Sequence, residues 1–182
     1  MNIKTKSIIY GTLLGDSYIV KKFDKRDNKY RYCFGCEHSI KQENYLNWLK
    51  NQLSELNPND LYYRERDMSV MGRPIKFKSC SLIISKYNDM WEIIRNLFYD
   101  NDGVKIITDE MMNEITPESI AYWYMDDGFY NVYRNTAALA TYCYTLGEHH
   151  ILVDNIKRIT GATPNIAKKK DREKPFYLHF PR

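Results

Sequence analysis

Acidic residues follow two separate helix-like segments of the chain, in each case just before a segment with strand character. The first lies in Leu14-Gly15-Asp16-Ser17-Tyr18 and the second in Met125-Asp126-Asp127-Gly128-Phe129. A carboxylate at the C-terminus of a helix faces the negative end of the helix dipole. If the two helices pack side by side, as Gly11, Gly15 and Ala121 would permit, two such carboxylates converge and repel each other. The arrangement predicts a cation site.

The chemistry expected of such a site is phosphodiester hydrolysis. Mg²⁺ prefers carboxylate and carbonyl oxygens, keeps several waters and takes remaining ligands from a phosphate. Metal ions about 4 Å apart, or bridging two carboxylates, activate water and stabilise the leaving oxygen. Taken singly, Asp16 and Asp127 also fit ordinary turn aspartates, but their matching places in two similar stretches of chain favour a shared site.

The elements that must position these residues occur twice in the same order. The first series consists of a helix over 4–15, strands starting at 18 and 30, a helix opened by Ser39, strands over 61–66 and 75–84, and a helix capped by Ser85. The second series consists of a helix over 117–127, strands over 129–134 and 138–144, a helix opened by Thr145, and strands over 165–169 and 176–180. Turn and capping signals set these boundaries. The order predicts an α+β fold in which an αββαββ(α) unit is duplicated, with halves at 1–115 and 116–182 in one pseudo-symmetric body.

Basic residues recur within the predicted strands. The chain carries 27 Lys and Arg against 23 Asp and Glu, a net charge of only +4, so their placement is more informative than the total. Basic side chains on alternating strand positions can read bases or contact phosphates. The candidates for DNA binding are Lys29, Arg31, Arg64, Arg66, Lys76, Lys78, Arg134, Lys168, Lys170 and Lys174. For each of them a solubilising charge on a wet sheet face is the alternative.

The composition argues against a membrane-spanning protein and against a secreted, disulfide-rich one. No apolar run approaches the roughly 20 residues that cross a bilayer, so we expect a soluble, intracellular chain without a membrane partner. Four cysteines, at positions 33, 36, 80 and 143, are too few for a secreted disulfide framework and predict reduced thiols. Cys33 and Cys36 point to opposite faces of a strand and do not predict a zinc site. His149 and His150 are expected at the surface.

Two segments carry a family resemblance. Ile9-Tyr10-Gly11-Thr12-Leu13-Leu14-Gly15-Asp16-Ser17-Tyr18-Ile19 and Ser119-Ile120-Ala121-Tyr122-Trp123-Tyr124-Met125-Asp126-Asp127-Gly128 resemble the two motifs of the LAGLIDADG homing endonucleases in their single-chain form. The second motif is similar to that of the mitochondrial omega-intron group. The order of elements extends the likeness over nearly the whole chain.

The resemblance implies a function and a set of roles. Asp16 and Asp127 would bridge metal ions, the carbonyls of Gly15 and Asp126 would be further ligands, and Lys105 would polarise the attacking water or the scissile phosphate. The implied cofactor is Mg²⁺, with Mn²⁺ as a substitute. The implied partner of this monomer is double-stranded DNA with a long asymmetric target, cut across the minor groove to leave short 3′ overhangs. Two antiparallel sheets would form a DNA-binding saddle around the paired motif helices.

Several alternatives remain open at this point. The second half has no counterpart of the third helix or of Lys105, which predicts unequal strand cleavage or nicking, with Lys170 or Lys174 as substitutes. A maturase that binds intron RNA and a DNA-binding protein that does not cleave are the other functions considered. The composition, rich in Tyr, Asn and Lys, leaves an organelle, a bacterial and a phage origin all possible.

Overall fold

The structure, a computed structural model, describes residues 1–70, 73–169, 173 and 175–181. The chain divides into two compact units. We call residues 1–15 and 95–182 the helix-pair unit and residues 16–94 the first-sheet unit. The predicted DNA-binding residues Lys170 and Lys174 lie outside the described residues.

The first-sheet unit is built on a four-stranded antiparallel sheet with the order β1-β2-β4-β3. Its elements are β1 (Ser17–Asp24), β2 (Lys29–Ser39), α2 (Glu43–Gln52), β3 (Tyr62–Val70), β4 (Arg73–Ile84) and the start of α3 (Asn88–Phe98). Successive side chains of a strand point to opposite faces. Alternate residues of the two central strands therefore form the apolar face.

The core of this unit lies between that face and two helices. Phe34 on β2 and Leu82 on β4 are buried together with Leu46 and Leu49 of α2. Trp91 of α3 stacks on Phe34 with their ring centroids 5.4 Å apart. Burial of an apolar side chain of this size contributes on the order of 2 kcal/mol, so one face of the sheet is committed to the core and the other is left for solvent or a ligand.

The helix-pair unit contains two long helices packed against each other and a second antiparallel sheet, ordered β5-β6-β8-β7. Its elements are α1 (Ile3–Leu14), the end of α3, α4 (Asp109–Asn113), α5 (Pro117–Asp127), β5 (Gly128–Asn131), β6 (Thr136–Leu139), α6 (Leu146–Thr160), β7 (Asn165–Lys168) and β8 (Phe176–Phe180). Thr116 and Thr145 begin α5 and α6 with capping boxes, as the sequence predicts for Thr145. Leu139 and Leu178 of the sheet are buried with Leu152 and Ile156 of α6.

The α+β class with two antiparallel sheets is confirmed, and the same strand order occurs in both. The prediction of halves at 1–115 and 116–182 stays a prediction. Among the described residues, no helix combines the length and the apolar character that a membrane span requires.

Several local boundaries differ from the predictions. Ser39 does act as a cap, with its side chain accepting from the Lys41 amide, but it caps a 3-10 turn over 40–42, and α2 follows from Glu43. Ser85 does not cap α3, which starts three residues later after Tyr87 at φ 64°. The strand predicted over 138–144 stops at Leu139, and the chain then turns, with the Thr141 amide donating to the Leu139 carbonyl and the Tyr144 amide to the Thr141 carbonyl. The short helix α4 was not predicted at all.

The expectation of a surface position for His149 was also wrong. His149 is fully buried, with its Nδ1 2.7 Å from the Thr145 carbonyl oxygen and its Nε2 2.9 Å from Thr141 Oγ1. Both ring nitrogens of a buried imidazole need partners, and the two threonines supply them.

Candidate active site and nucleic-acid interface

Two glycines, Gly11 within α1 and Gly15 at its C-cap, set how closely α1 and α5 approach. A Cβ atom added to Gly11 would lie 2.3 Å from the Ser119 backbone oxygen and 2.7 Å from Tyr122 Cβ. One added to Gly15 would lie 2.6 Å from Asp126 Cβ. Only glycine fits such contacts, and this accounts for two residues that are unfavourable within a helix. The C-terminal end of α1 is thereby held against the acidic end of α5.

Asp127 is positioned by its own helix. The indole Nε1–H of Trp123, one turn earlier in α5, donates to Asp127 Oδ2 at 3.1 Å. Trp123 is fully buried, whereas Asp127 is half-buried. Since a carboxylate has about four acceptor positions, this hydrogen bond orients Asp127 without using its capacity to bind a cation.

Lys105 reaches the end of α1 from a tight loop that follows α3. The loop is closed by the Asp100 amide donating to the Val104 carbonyl at 2.9 Å, and Lys105 pairs with Tyr99 in an isolated β-bridge. From there Lys105 Nζ donates to the Gly15 carbonyl oxygen at 2.7 Å. A positive charge at a helix C-terminus is favoured by the helix dipole, and this one stands beside a predicted metal ligand.

Cys143 and Tyr144 line the same region. Although Cys143 is exposed, the protein atoms around its thiol reduce its solvation and raise its pKa; the nearby Lys105 ammonium opposes that shift, and Asp127 adds to it. Deep burial raises the pKa of Tyr144 well above its ordinary value, and its hydroxyl donates to the Leu14 carbonyl at 3.4 Å. Tyr144 is therefore a neutral donor at the end of α1.

In the first-sheet unit, Asp16 stands beside a histidine that sequence reasoning did not identify. His38 Nδ1 lies 3.5 Å from Asp16 Oδ2. The Asp16 side chain is 47% exposed, while that of His38 is 2% exposed. The signal in the sequence was the alternation of β2, where His38 continues the buried series of Phe34 and Cys36.

The oxygen donors around these residues fit a hard divalent cation. In the helix-pair unit the carboxylates of Asp126 and Asp127 and the Gly15 carbonyl offer oxygen only, and a carbonyl has two lone pairs, of which Lys105 takes one. In the first-sheet unit Asp16 offers a half-exposed carboxylate. Oxygen donors of this kind suit Mg²⁺, Mn²⁺ or Ca²⁺ rather than a thiolate-preferring metal.

A groove runs over the open face of the second sheet, with Asp127 among its lining residues. Tyr177 and His179 alternate with the buried Leu178 on β8 and point into this groove, as do Phe129 and Asn131 of β5. The remaining lining residues include Arg134, Thr136, Tyr142, Lys168 and Lys169. The groove thus combines positive charge, aromatic rings and hydrogen-bonding groups with one carboxylate.

Of the predicted DNA-binding residues, Arg134 and Lys168 line this groove. The Arg134 amide donates to Asn131 Oδ1 at 3.1 Å in the turn between β5 and β6. Lys168 Nζ lies 5.1 Å from the centroid of the Phe176 ring. Sequence reasoning missed Asn131, Tyr177 and His179, although their alternation with buried neighbours was readable.

The first sheet divides its basic candidates between two faces. Strand register puts Lys29, Arg31, Arg64 and Arg66 on the open face, with Arg64 opposite Ser79 and Arg66 opposite Phe77. On the open face Arg66 pairs with Glu37. Ser79 and Arg66 bind the Glu37 carboxylate and, against the effect of its burial, lower its pKa.

Lys76 and Lys78 lie on the other face, toward which Cys80 and Leu82 also point. Both ammonium groups are 3.2 Å from the Glu65 carboxylate, whose pKa they lower. The structure thus groups four of the six basic residues predicted in this sheet and separates two from them.

Comparison with known proteins identifies relatives of the chain. The sequence matches the model of the LAGLIDADG DNA endonuclease family over residues 6–182. The homing endonuclease I-WcaI bound to its DNA recognition sequence is similar in structure, with a TM-score of 0.71 and 22% identity over 99% of this chain and 76% of that one. Mesophilic variants of the homing endonuclease I-DmoI give a TM-score of 0.55 at 12% identity, covering 98% of this chain and 88% of theirs. At these identities the likeness concerns the fold.

Curated relatives match over a shorter stretch. Protein RecA of Mycobacterium gastri is 26% identical over 125 residues, which is 69% of this chain and 26% of that protein. Protein RecA of Mycolicibacterium chitae is 28% identical over 126 residues, again 69% of this chain and 26% of that protein. The chain spans about a quarter of the length of these relatives.

Proposed function

This chain belongs to the LAGLIDADG DNA endonuclease family, and from that premise we propose that it is a divalent-metal-dependent endonuclease that cuts double-stranded DNA at a long asymmetric site. The observation that carries the proposal is the groove over the second sheet, in which a carboxylate, Asp127, stands among basic, aromatic and hydrogen-bonding side chains. A phosphate backbone is attracted by the basic residues. Because the phosphate and the Asp127 carboxylate are both negatively charged, a cation is needed between them.

The residues that would hold the metal are Asp16 and Asp127, with the carbonyls of Gly15 and Asp126 as further ligands. When bound, the metal ion supplies an activated water and a charge that stabilises the leaving oxygen. Structures of I-DmoI contain DNA with Mn or Ca, which supports a divalent ion here. Mg²⁺, with Mn²⁺ as a substitute, is the ion we propose.

The side chains of the protein contribute to the reaction by supplying a positive charge and by fixing the orientation of a metal ligand. Trp123 holds Asp127 in one orientation through its indole N–H. Lys105, held at the Gly15 carbonyl, keeps an ammonium group beside the proposed ligands, where it can attract the scissile phosphate or lower the pKa of a water. Fixed charges that need no rearrangement are the strongest contribution a site of this kind can make.

Sequence recognition is proposed for the open faces of the two sheets. On the first sheet these are Lys29, Arg31, Arg64 and Arg66, and on the second Arg134 and Lys168. Lys76 and Lys78, on the opposite face and bound to Glu65, would act on DNA only through long-range charge. Cleavage across the minor groove with short 3′ overhangs completes the proposal.

The test is cleavage of a randomised duplex library in Mg²⁺, followed by sequencing of the cut ends. We expect one long site cut with short 3′ overhangs by the wild-type chain and no cuts by the Asp16→Asn/Asp127→Asn double variant. Enrichment of one duplex without cutting would make the chain a DNA-binding protein. Absence of both, with tight binding to intron RNA, would overturn the proposal in favour of the maturase.

A further inference from the structure

Each proposed catalytic carboxylate lies beside a ring nitrogen of a buried aromatic side chain. In the helix-pair unit Trp123 Nε1 is 3.1 Å from Asp127 Oδ2. In the first-sheet unit His38 Nδ1 is 3.5 Å from Asp16 Oδ2. Both rings are almost entirely buried, while both carboxylates are partly exposed.

Trp123 can act on Asp127 in one way only. An indole nitrogen is a donor and never an acceptor, and a buried indole N–H needs a partner. The ring is fixed by the core at zero exposure, so the hydrogen bond fixes the carboxylate rather than the reverse. Because Trp123 precedes Asp127 by one helical turn, the two side chains share one face of α5.

His38 is also fixed independently of its acidic neighbour. It lies on β2, which pairs with β1 from Ser17 onward, and its ring packs edge-on against Tyr45 at 5.2 Å. The acidic residue beside its Nδ1 is Asp16, which immediately precedes β1. The contact is longer than that of Trp123, so its hold on the carboxylate is weaker.

Two other buried rings of the chain show what a purely structural contact looks like. Trp91 Nε1 donates to the Lys86 backbone carbonyl at 2.6 Å. His149 binds the Thr145 carbonyl and the Thr141 hydroxyl. The ring nitrogens of Trp91 and His149 contact backbone carbonyl and hydroxyl oxygens, whereas those of Trp123 and His38 lie beside the two carboxylates.

We propose that Trp123 and His38 are positioning residues for Asp127 and Asp16, which they hold in the orientation required for metal binding and cleavage. This inference rests on the proposed function for its cleavage readout. Loss of residues that orient a metal ligand typically lowers metal affinity or activity by roughly 10- to 100-fold. The same fold-change is expected here for Trp123, and a smaller one for His38.

The experiment compares Trp123→Phe, which removes the N–H but keeps an aromatic ring, with Trp91→Phe as the matched control. Single-turnover rates are measured for each DNA strand separately, together with DNA affinity in Ca²⁺ and the melting temperature. We expect Trp123→Phe to slow the strand that Asp127→Asn slows, by roughly 10- to 100-fold, with DNA affinity unchanged. Equal slowing of both strands in both tryptophan variants would show a merely structural role and overturn the inference.

For His38 the paired variants are His38→Asn, whose amide keeps a donor near the position of Nδ1, and His38→Leu. The asparagine variant is expected to retain the cut that depends on Asp16, and the leucine variant to lose most of it. Equal rates in the two variants would contradict the role of His38, since the two side chains are similar in size and only asparagine has polar atoms at that position.

A second readout needs no DNA and separates this inference from the proposed function. Calorimetric titration of the protein with Mn²⁺ is expected to show weaker binding in Trp123→Phe than in Trp91→Phe. If the wild type cuts no DNA but this difference persists, the proposed function fails and the positioning role stands. If Mn²⁺ binds both variants equally, the positioning role fails even where cleavage is observed.

Discussion

The helix-pair unit and the first-sheet unit each contain one proposed catalytic carboxylate and one four-stranded sheet of the same strand order, yet they fix their carboxylates to different degrees. Asp127 accepts a hydrogen bond from Trp123 in the same helix, and the carbonyl at the end of α1 is bound by Lys105. Asp16 is 47% exposed beside His38.

The first-sheet unit, which fixes its carboxylate less firmly, has the larger of the two sheets. The strands of the first sheet span 8 to 12 residues, and those of the second span 4 or 5. The longer sheet also presents more basic residues on its open face. We infer that the helix-pair unit contributes most to positioning the reacting groups and the first-sheet unit most to reading the target.

The largest effect is expected from Lys105→Met. The change removes the ammonium at the Gly15 carbonyl, and loss of one preorganised charge typically slows a reaction on the order of 10²- to 10³-fold. Single-turnover cleavage of the selected target measures it. The control is Lys157→Met, on the exposed side of α6. If Lys105→Met cleaved as fast as this control, the helix-pair unit would not contribute most to positioning the reacting groups.

Gly11→Ala tests the close packing of α1 on α5. The added Cβ would meet the Ser119 backbone oxygen at 2.3 Å, and overpacking of this kind typically costs about 1 to 3 kcal/mol of the free energy of unfolding. Urea unfolding followed by circular dichroism measures the change.

The matched control is Gly147→Ala in the first turn of α6. There the added Cβ would lie 3.9 Å from Thr145 Oγ1, so we expect stabilisation of up to about 1 kcal/mol. Destabilisation of both variants to the same extent would contradict the account of Gly11.

A smaller and more local effect is expected from Arg64→Ala on the open face of the first sheet. Loss of a base contact should relax preference at one base pair by about 1 to 3 kcal/mol. Lys78→Ala, on the opposite face, should leave base preference intact, because its exposed pair with Glu65 contributes little. Binding selection on a target library measures both, and equal effects would contradict the assignment of faces.

The smallest effect is expected in the alkylation rate of the Cys143 thiol. This rate depends on the charges around the thiol in the helix-pair unit, and it can be measured without DNA or metal. Only the thiolate reacts with an alkylating agent, so the raised pKa of this thiol predicts slow alkylation that speeds up as pH rises. Because Lys105 lowers that pKa and Asp127 raises it, Lys105→Met should slow alkylation a few-fold and Asp127→Asn should accelerate it. Peptide mass spectrometry at pH 8 measures both rates, and changes in the same direction would contradict the geometry.

Much of this arrangement could be predicted from local signals. The capping residues Thr116 and Thr145 and the alternation of β2 are short-range patterns. They locate the start of α5, which ends with Asp127, the start of α6, and the buried face of β2. The closeness of Gly11 to α5 also follows from residue type, because two glycines in a helix call for a near neighbour.

The remainder depends on contacts between distant parts of the chain. The burial of His149 follows from its Thr141 partner, and the position of Asp16 beside His38 follows from the register of β1 on β2. The separation of Lys78 from Arg64 follows from register as well. The alternation along a strand shows which residues share a face, but it does not show which residue of another strand or helix lies opposite them.

The central claim is that Asp16 and Asp127 each take part in strand cleavage. The most direct measurement is strand-resolved single-turnover cleavage of the selected target in Mg²⁺ by the wild type, Asp16→Asn and Asp127→Asn, with DNA affinity in Ca²⁺ as the control. We predict that each substitution leaves DNA affinity intact and suppresses cleavage, with a different strand most affected in each variant. Wild-type rates on both strands in either variant would contradict the account.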